Sequence, residues 1–472
     1  MRDKITLNGE KSVHFIGIGG ISMSGLAEIL HRDGFVVSGS DDVSSETTNR
    51  LMGLGIKIDI PNAAENISPG LDLVVYTAAV KPENAEFHAA KEAGIPLVER
   101  AAFIGEILHG YDPICIAGSH GKTTTTSMVA EVTLAAGLDP TISIGGHMNS
   151  GGLNYRVGNS PCFVLEACEY SNSFHHWHPQ IGIILNVDAD HLDFFGSFEN
   201  LIESFAKFAQ NIRPEGTLVI QEGVSGFEKI THGLACNVVT FGIEPPNRKG
   251  SGHQDHDSTY PHFWTRDIHY NAEKPSFDVM CGEDLLARVN MQLPGEYNML
   301  NALACFAAAF SIGIPPEITA SALSEAQGTK RRFELKGIYN GAKIIDDYAH
   351  HPTEIKSCLA AARRLQGEDK IICLFQPHTY TRTKNLLHDF AESFTDADEI
   401  ILLPIYAARE PFDPNISSEV LAGLIKERGG RVISFSSFSE TGNYLENALL
   451  PDNLLITMGA GDVFRVGDAL LA

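Results

Sequence analysis

The sequence predicts an α/β protein built from three parallel-sheet domains, and three observations carry that reading. An apolar strand, a glycine turn and a helix follow one another at 13–42 and again at 113–137; β and α segments alternate once more after residue 336; and 472 residues exceed what one ordinary core holds. The expected divisions are 1–110, 111–326 and 327–472.

Composition sets the class. Apolar residues are 43% and charged residues 20% of the chain, a globular balance, and no apolar run approaches the roughly 18 residues of a membrane span. The start, MRDKITLNGEKSV, has neither the apolar stretch nor the cleavage site of a secretory signal, so a cytoplasmic protein without membrane insertion is expected. A formal net charge of −24 opposes nonspecific nucleic-acid binding, and no nucleic-acid partner is expected. Eight cysteines (115, 162, 168, 236, 281, 305, 358 and 373) include no C-x-x-C pair and read as reduced, mostly buried thiols.

In the first domain, VHFIGIGGISMSGLAEILHRDGFVVSGSDD (13–42) reads as strand, glycine turn, amphipathic helix and a second strand ending in acids, a Rossmann-like opening. Gly17 and Gly19 fill the first two positions of G-x-G-x-x-G, Ser22 stands at the third and Gly25 follows. Asp41 or Asp42 either hydrogen-bonds a ribose or caps the next turn. Further strands are expected at 71–76 and 95–98.

The second domain opens with PICIAGSHGKTTTTSMVAEVTLAAG (113–137), the layout of a phosphate-binding loop. Gly118 and Gly121 let the backbone wrap an oligophosphate, and the amides and dipole at the helix start point at it. Lys122 offers a point charge to outer phosphates, and the Thr123 hydroxyl is a candidate Mg²⁺ ligand. The loop is a shortened variant of G-x-x-x-x-G-K-[ST], because Ile116 occupies the first glycine's position. CFVLEACE (162–169) brings Glu166 and Glu169 to a strand's C-terminal end, and IGIILNV (181–187) runs into Asp188, Asp190, His191 and Asp193. Ligands of parallel sheets sit beyond such ends, so Thr123, Glu169 and His191 are the expected metal–phosphate centre.

His175, His176 and His178 in FHHWHP are set aside as zinc ligands, because adjacent histidines of a strand face opposite ways. Residues 243–266 read as a variable loop. GEYNMLN (295–301) opens an alanine-rich helix in which Asn298 and Asn301 face a nucleotide base or serve as caps. Composition changes again at QGTKRRFELK (327–336), where the third domain begins. Strands are expected there at 343–347, 370–376, 399–404 and 454–458, a second Rossmann-like unit. DDYAHHP (346–352) and QPHTYTRT (376–383) both follow apolar strands, and the pair of clusters argues for a site.

Together HFIGIGGISMSG, GSHGKTTTT, LEACEYSNSF, NVDADHLD, GEYNMLNALA, KRRFE, DDYAHHPTE, QPHTYTRT and ITMGAGDV, in order from residue 14 to 463, resemble the Mur ligase family. The glycine turn and DDYAHHPTE are most similar to its alanine-adding branch. The resemblance implies a Rossmann-like UDP-substrate domain, a P-loop ATPase domain and a Rossmann-like amino-acid domain. It implies a ligase that uses ATP and Mg²⁺ to join L-alanine to UDP-N-acetylmuramate through an acyl phosphate, as a monomer or weak homodimer.

Under the same resemblance Gly118, Ser119, His120, Gly121, Lys122, Thr123 and Thr124, with Asn298 and Arg332, bind ATP, and Thr123, Glu169 and His191 surround magnesium. Gly17, Gly19, Gly20, Ser22 and Asp41 hold the UDP-sugar. Lys122, His191, Asp347, His350 and Arg382 carry the chemistry, with Asp347 or His350 as general base and His350 and Arg382 against the amino acid. The site is expected to assemble by domain closure.

Three positions depart from the family's pattern. Phe205 falls near the place where several relatives carry a carbamoylated lysine, with Lys207 two residues on, and no carbamoylation is expected. Thr379 stands where many members have arginine, which leaves Arg382 as the carboxylate ligand, and Tyr297 stands where histidine is frequent. The competing readings are a sibling ligase that takes a preformed peptide and a nicotinamide-dependent dehydrogenase with a regulatory nucleotide site. The second leaves Gly-Lys-Thr and the Glu–His set without a task.

Overall fold

The computed structural model describes residues 7, 9, 11–77, 80–81, 83–149, 154–245, 260–271, 274–408 and 410–472, with the Asp193 side chain left aside. The N-terminal sheet has β1 (Ser12–Ile16), β2 (Val36–Ser40), β3 (Lys57–Asp59), β4 (Leu73–Tyr76) and β5 (Leu97–Glu99), all parallel in the order β3-β2-β1-β4-β5. Val13, Phe15 and Ile16 are at most 1% exposed, as a central parallel strand covered on both faces requires. Helix α1 (Ile21–Asp33) buries Met23, Leu26, Ala27 and Leu30 and ends where Gly34 turns left-handed at φ +94°. Helices α2 (Glu46–Gly53), α3 (Ala85–Glu92) and α4 (Arg100–Leu108) follow.

The central sheet runs from β6 (Asp112–Ala117) through β7 (Thr141–Ser143), β8 (Tyr155–Arg156), β9 (Cys162–Glu166), β10 (Ile181–Ile184), β11 (Thr217–Gln221), β12 (Asn237–Phe241), β13 (His262–Asn271), β14 (Lys274–Cys281) and β15 (Asp284–Asn290). Its order is β15-β14-β13-β12-β11-β10-β6-β9-β7-β8. Helix α5 (Lys122–Ala135) follows β6, so the threonine-rich run is a helix opening at a strand end, as its sequence requires. Two expectations change here. Residues 246–259 of the expected loop lie outside the described residues, and 262–266 are strand, because Phe263 packs edge-on to Phe310. Tyr170–His176 is a 3₁₀ turn where a strand had been assumed for the histidines; His175 Nε2 lies 3.0 Å from Ser204 Oγ and its ring stacks on Phe174.

The C-terminal sheet has β16 (Glu334–Tyr339), β17 (Ala342–Asp347), β18 (Ile371–Phe375), β19 (Glu399–Leu402), β20 (Val432–Ser434) and β21 (Leu454–Met458) in the order β16-β17-β21-β18-β19-β20. It is parallel except for the β16–β17 pair. The helix Pro352–Gln366 starts with His351 as cap, Pro352 at its first position and Glu354 returning to the cap's amide.

The chain divides into two compact units: residues 1–266, 279–287 and 300–323 form one, and 267–278, 288–299 and 324–472 the other. Within the first, the N-terminal and central sheets interlock. Trp177 Nε1 donates to Ala101 O and Arg32 Nη1 to Val157 O, each at 3.0 Å, and a Cβ on Gly25 would sit 1.8 Å from Tyr155 Cζ. No helix of the described residues is long and apolar enough to cross a membrane.

Candidate active site

The phosphate loop forms where β6 leaves the sheet. Gly118 (φ +145°) and Gly121 (φ +81°) take conformations that L-residues resist, and a Cβ on Gly121 would lie 2.8 Å from Asn301 Oδ1. The loop is fastened to the end of β10. Asn186 Oδ1 accepts from His120 N at 2.8 Å, Asn186 Nδ2 donates to His120 O at 3.1 Å, and Ser119 Oγ donates to Asp188 O at 3.1 Å. His120 Nε2 lies 3.1 Å from Asp188 Oδ2. These bonds fasten the loop, and the first-turn amides of α5, ahead of the Thr125 N to Gly121 O bond, are those a helix start leaves without intrahelical acceptors. Ser119 and Thr124 are each 8% exposed.

Lys122 Nζ reaches both oxygens of Glu169, at 3.1 and 3.0 Å, and donates to Ser119 O at 3.1 Å. Glu169 is 1% exposed. Burial works against the lysine's charge, but the Glu169 carboxylate outweighs it and raises the Lys122 pKa. His191, held at φ +54° as the cap of the turn Leu192–Phe195, places Nε2 3.9 Å from Glu169 Oε1 and 3.7 Å from Asp190 Oδ2. The side chains of Lys122, Glu169 and His191 thus converge, with Thr123 next along the helix.

Among the described residues no three His, Cys, Asp or Glu groups form a metal cage. One carboxylate, one imidazole and one hydroxyl make a partial set. That fits Mg²⁺, which keeps several waters and shares nucleotide phosphates. Phe205 is fully buried against Phe174 and Lys207 is exposed.

At the N-terminal turn, Gly17 sits at φ +78° and Gly19 N donates to Asp41 Oδ2 at 2.8 Å. Asp41 therefore closes the turn, and Asp42 N donates to its other oxygen at 2.9 Å. Gly20 caps α1 and Ser22 lies in its first turn.

The second unit gathers the remaining residues. Asp347 accepts from Phe333 N and Ala349 N, each at 2.7 Å, and burial lifts its pKa to about 6 against the pull of Arg332. The Arg332 and Arg331 guanidinium groups each lie 5.0 Å from the Tyr348 ring, and Arg331 Nε pairs with Asp346 at 2.9 Å. Burial drops His350 to about 4 although Glu354 pulls it upward. His350 and His378 meet edge to face at 5.6 Å, and Arg382 Nη1 lies 3.3 Å from His378 Nδ1. Burial and Arg382 hold His378 at about 4 as well. Asn298, 3% exposed, donates to Pro294 O at 2.7 Å, a cap-like contact.

Sequence reading missed His378, whose signal is its i, i+4 spacing to Arg382 in QPHTYTRT. It also missed Asn186, which anchors the loop from 66 residues away.

Residues 12–112 match a model described as Mur ligase family, catalytic domain; 116–309 match Mur ligase middle domain; and 331–461 match Mur ligase, glutamate ligase domain. The UDP-N-acetylmuramate–L-alanine ligase of Agathobacter rectalis is 45% identical over 470 residues, 99% of both chains. That of Clostridium kluyveri is 45% identical over 463 residues, 98% of both. The solved UDP-N-acetylmuramate-alanine ligase of Thermotoga maritima superposes with a TM-score of 0.77 at 28% identity, covering 98% of each chain. A murein peptide ligase of Psychrobacter arcticus, at 24% identity and a TM-score of 0.69, shares the fold. On three domain matches in order and relatives of this identity over nearly the whole length, the chain belongs to the Mur ligase family.

Proposed function

We propose that this protein is an ATP-dependent ligase that joins L-alanine to UDP-N-acetylmuramate, releasing ADP and phosphate, in cytoplasmic peptidoglycan precursor synthesis. Relatives of that name, 45% identical over almost every residue, point to the substrates. The observation that carries the chemistry is the convergence of Lys122 from the phosphate loop with Glu169 and His191 from beyond two neighbouring strands.

A carboxylate is a poor electrophile and oxide a poor leaving group. Phosphorylating the lactyl carboxylate solves both, and the resulting acyl phosphate can be attacked by a neutral amine with loss of phosphate. Phosphoryl transfer is a matter of alignment and charge neutralisation, for which no protein nucleophile is needed. Lys122 and the first-turn amides of α5 bind and align the transferred phosphate. Glu169, His191 and Thr123 would hold Mg²⁺, which would supply further neutralising charge. Gly17, Gly19, Gly20 and Ser22 receive the UDP diphosphate, with Asp41 bracing the turn. Arg382 orients the alanine carboxylate, and Asp347, raised by burial to about 6 where His350 falls to about 4, is the stronger base of the two and takes the ammonium proton. Asn298 and Arg332 contact the nucleotide.

Phosphate release measured with UDP-N-acetylmuramate against a panel of amino acids and peptides tests the reading. L-alanine should be the preferred acceptor. Activity with a preformed tripeptide and none with L-alanine would replace it by the sibling reaction.

A further inference from the structure

A buried carboxylate lies under the glycine turn and takes no part in the chemistry above. Glu86, the second residue of α3, is 0% exposed. Its Oε1 accepts from Asn66 Nδ2 at 2.6 Å and from Ala63 N at 3.2 Å. Its Oε2 accepts from Ser40 Oγ and lies 3.6 Å from Nε2 of His14, which is also 0% exposed. The other ring nitrogen of His14 is 2.9 Å from Ser38 Oγ. One carboxylate thus joins β1, β2, α3 and the 63–66 turn. Burial pushes the Glu86 pKa up, but the nearby His14 ring and the hydrogen bonds from Ser40, Asn66 and Ala63 outweigh it and hold the pKa below its ordinary value.

Ser40 is also the anchor of the glycine turn. Its carbonyl accepts from Gly17 N and Ile18 N, both at 2.9 Å, and the next residue, Asp41, takes Gly19 N at 2.8 Å. The 59–66 segment is laced to the same strand end, since Asp41 N donates to Asp59 O at 3.2 Å and Asn62 Nδ2 to Asp42 Oδ1 at 2.8 Å. An apolar side chain at position 86 would leave Ser40 Oγ, Asn66 Nδ2 and Ala63 N without this acceptor, so the position calls for the carboxylate and not for bulk alone. What the acid adds is direction: it fixes the strand end that carries the turn, and the neighbouring segment, against each other.

We propose that Glu86 is a positioning residue of the UDP-sugar site: through Ser40 it sets the turn Gly17–Gly20, and through Ala63 and Asn66 the segment beside it, for a nucleotide diphosphate. The proposal rests on the reading that the glycine turn binds UDP-N-acetylmuramate. Initial rates of the full-length enzyme, varying each substrate in turn, test it. Glu86→Ala should raise KM for UDP-N-acetylmuramate about tenfold while kcat and the KM values for ATP and alanine stay within about twofold. Glu86→Gln keeps an acceptor for Asn66 and Ala63 and should return that KM to within about threefold of the parent. Ser40→Ala cuts only the link to the turn and should raise the same KM about fivefold, and it decides the matter if Glu86→Ala does not fold.

Gly19→Ala, whose Cβ would meet Asp41 Oδ2 at 2.7 Å, checks the underlying site separately. If Gly19→Ala leaves KM for the UDP-sugar unchanged, the turn is not the substrate cradle. If Gly19→Ala raises it while Glu86→Ala and Ser40→Ala do not, or shift all three KM values alike, the role of Glu86 is overturned.

Discussion

Replacing Lys122 by alanine separates the stability of the phosphate loop from its chemistry. Glu169 is 1% exposed, and its two oxygens lie 3.1 and 3.0 Å from Lys122 Nζ. Removing the lysine leaves that carboxylate facing only the His191 imidazole at 3.9 Å among the groups described above. Breaking a buried ion pair from one side costs about 3–5 kcal/mol. The lysine side chain is 17% exposed, so water relieves part of the loss and about 3 kcal/mol is expected. At about 2 °C per kcal/mol for a large unit, the melting temperature should fall by about 6 °C. Adding Glu169→Gln removes the stranded charge and should restore about half of that fall. Activity should not follow: without the positioned cation, phosphate release falls at least about 10²-fold in both variants. Binding of UDP-N-acetylmuramate, read by titration calorimetry, should persist in both. Scanning calorimetry and a phosphate assay decide. A double variant no more stable than Lys122→Ala, or a single variant keeping about a tenth of the parent's phosphate release, would refute the reasoning.

Other outcomes follow from the second unit and from the interlocked sheets. With Asp347 as base, kcat/KM for alanine should lose activity below a pKa near 6 and keep that limb in His350→Asn; a limb near 4 would point to His350 instead. The same two groups act oppositely on stability. The raised Asp347 pKa favours the fold below about 3.9 and that support is gone once pH passes about 6, whereas the depressed His350 pKa favours the fold above about 6.5 and is lost as pH falls towards 4. Asp347→Asn should therefore melt with a steeper acid dependence between those limits than the parent, and an unchanged slope would contradict this. Thr379 sits at φ +66° and ψ 144°, a conformation costly for a β-branched residue, so Thr379→Gly should gain about 1 kcal/mol after the entropy of glycine is subtracted. A lower melting temperature would show that no strain is stored there. Gly25→Ala, driven into Tyr155, should cost at least about 1–3 kcal/mol, and Tyr155→Ala in the same chain should return part of it.

Much of this was legible in the sequence where a local backbone demand fixes the residue type. Gly17, Gly118 and Gly121 occupy left-handed conformations, and the strand–glycine–helix order around them could be read in advance. Glu169 and His191 were readable because each follows an apolar parallel strand. The partners that set these groups were not, because they come from distant positions with no pattern of their own. Asn186 holds His120 across 66 residues, and Glu86 holds Ser40 across 46. Asp41 was read as a ribose ligand or a cap, and its carboxylate closes the glycine turn. The 3₁₀ turn at Tyr170–His176 was hidden because Ser171 and Asn172 take left-handed angles that propensity does not announce.

In the proposed function the central step is the activation of a sugar-borne carboxylate by phosphate at the Lys122 loop. UDP-N-acetylmuramate labelled with ¹⁸O in its lactyl carboxylate, turned over with ATP and L-alanine, should deliver one labelled oxygen to inorganic phosphate for every amide formed. Amide product accompanied by unlabelled phosphate would contradict the account.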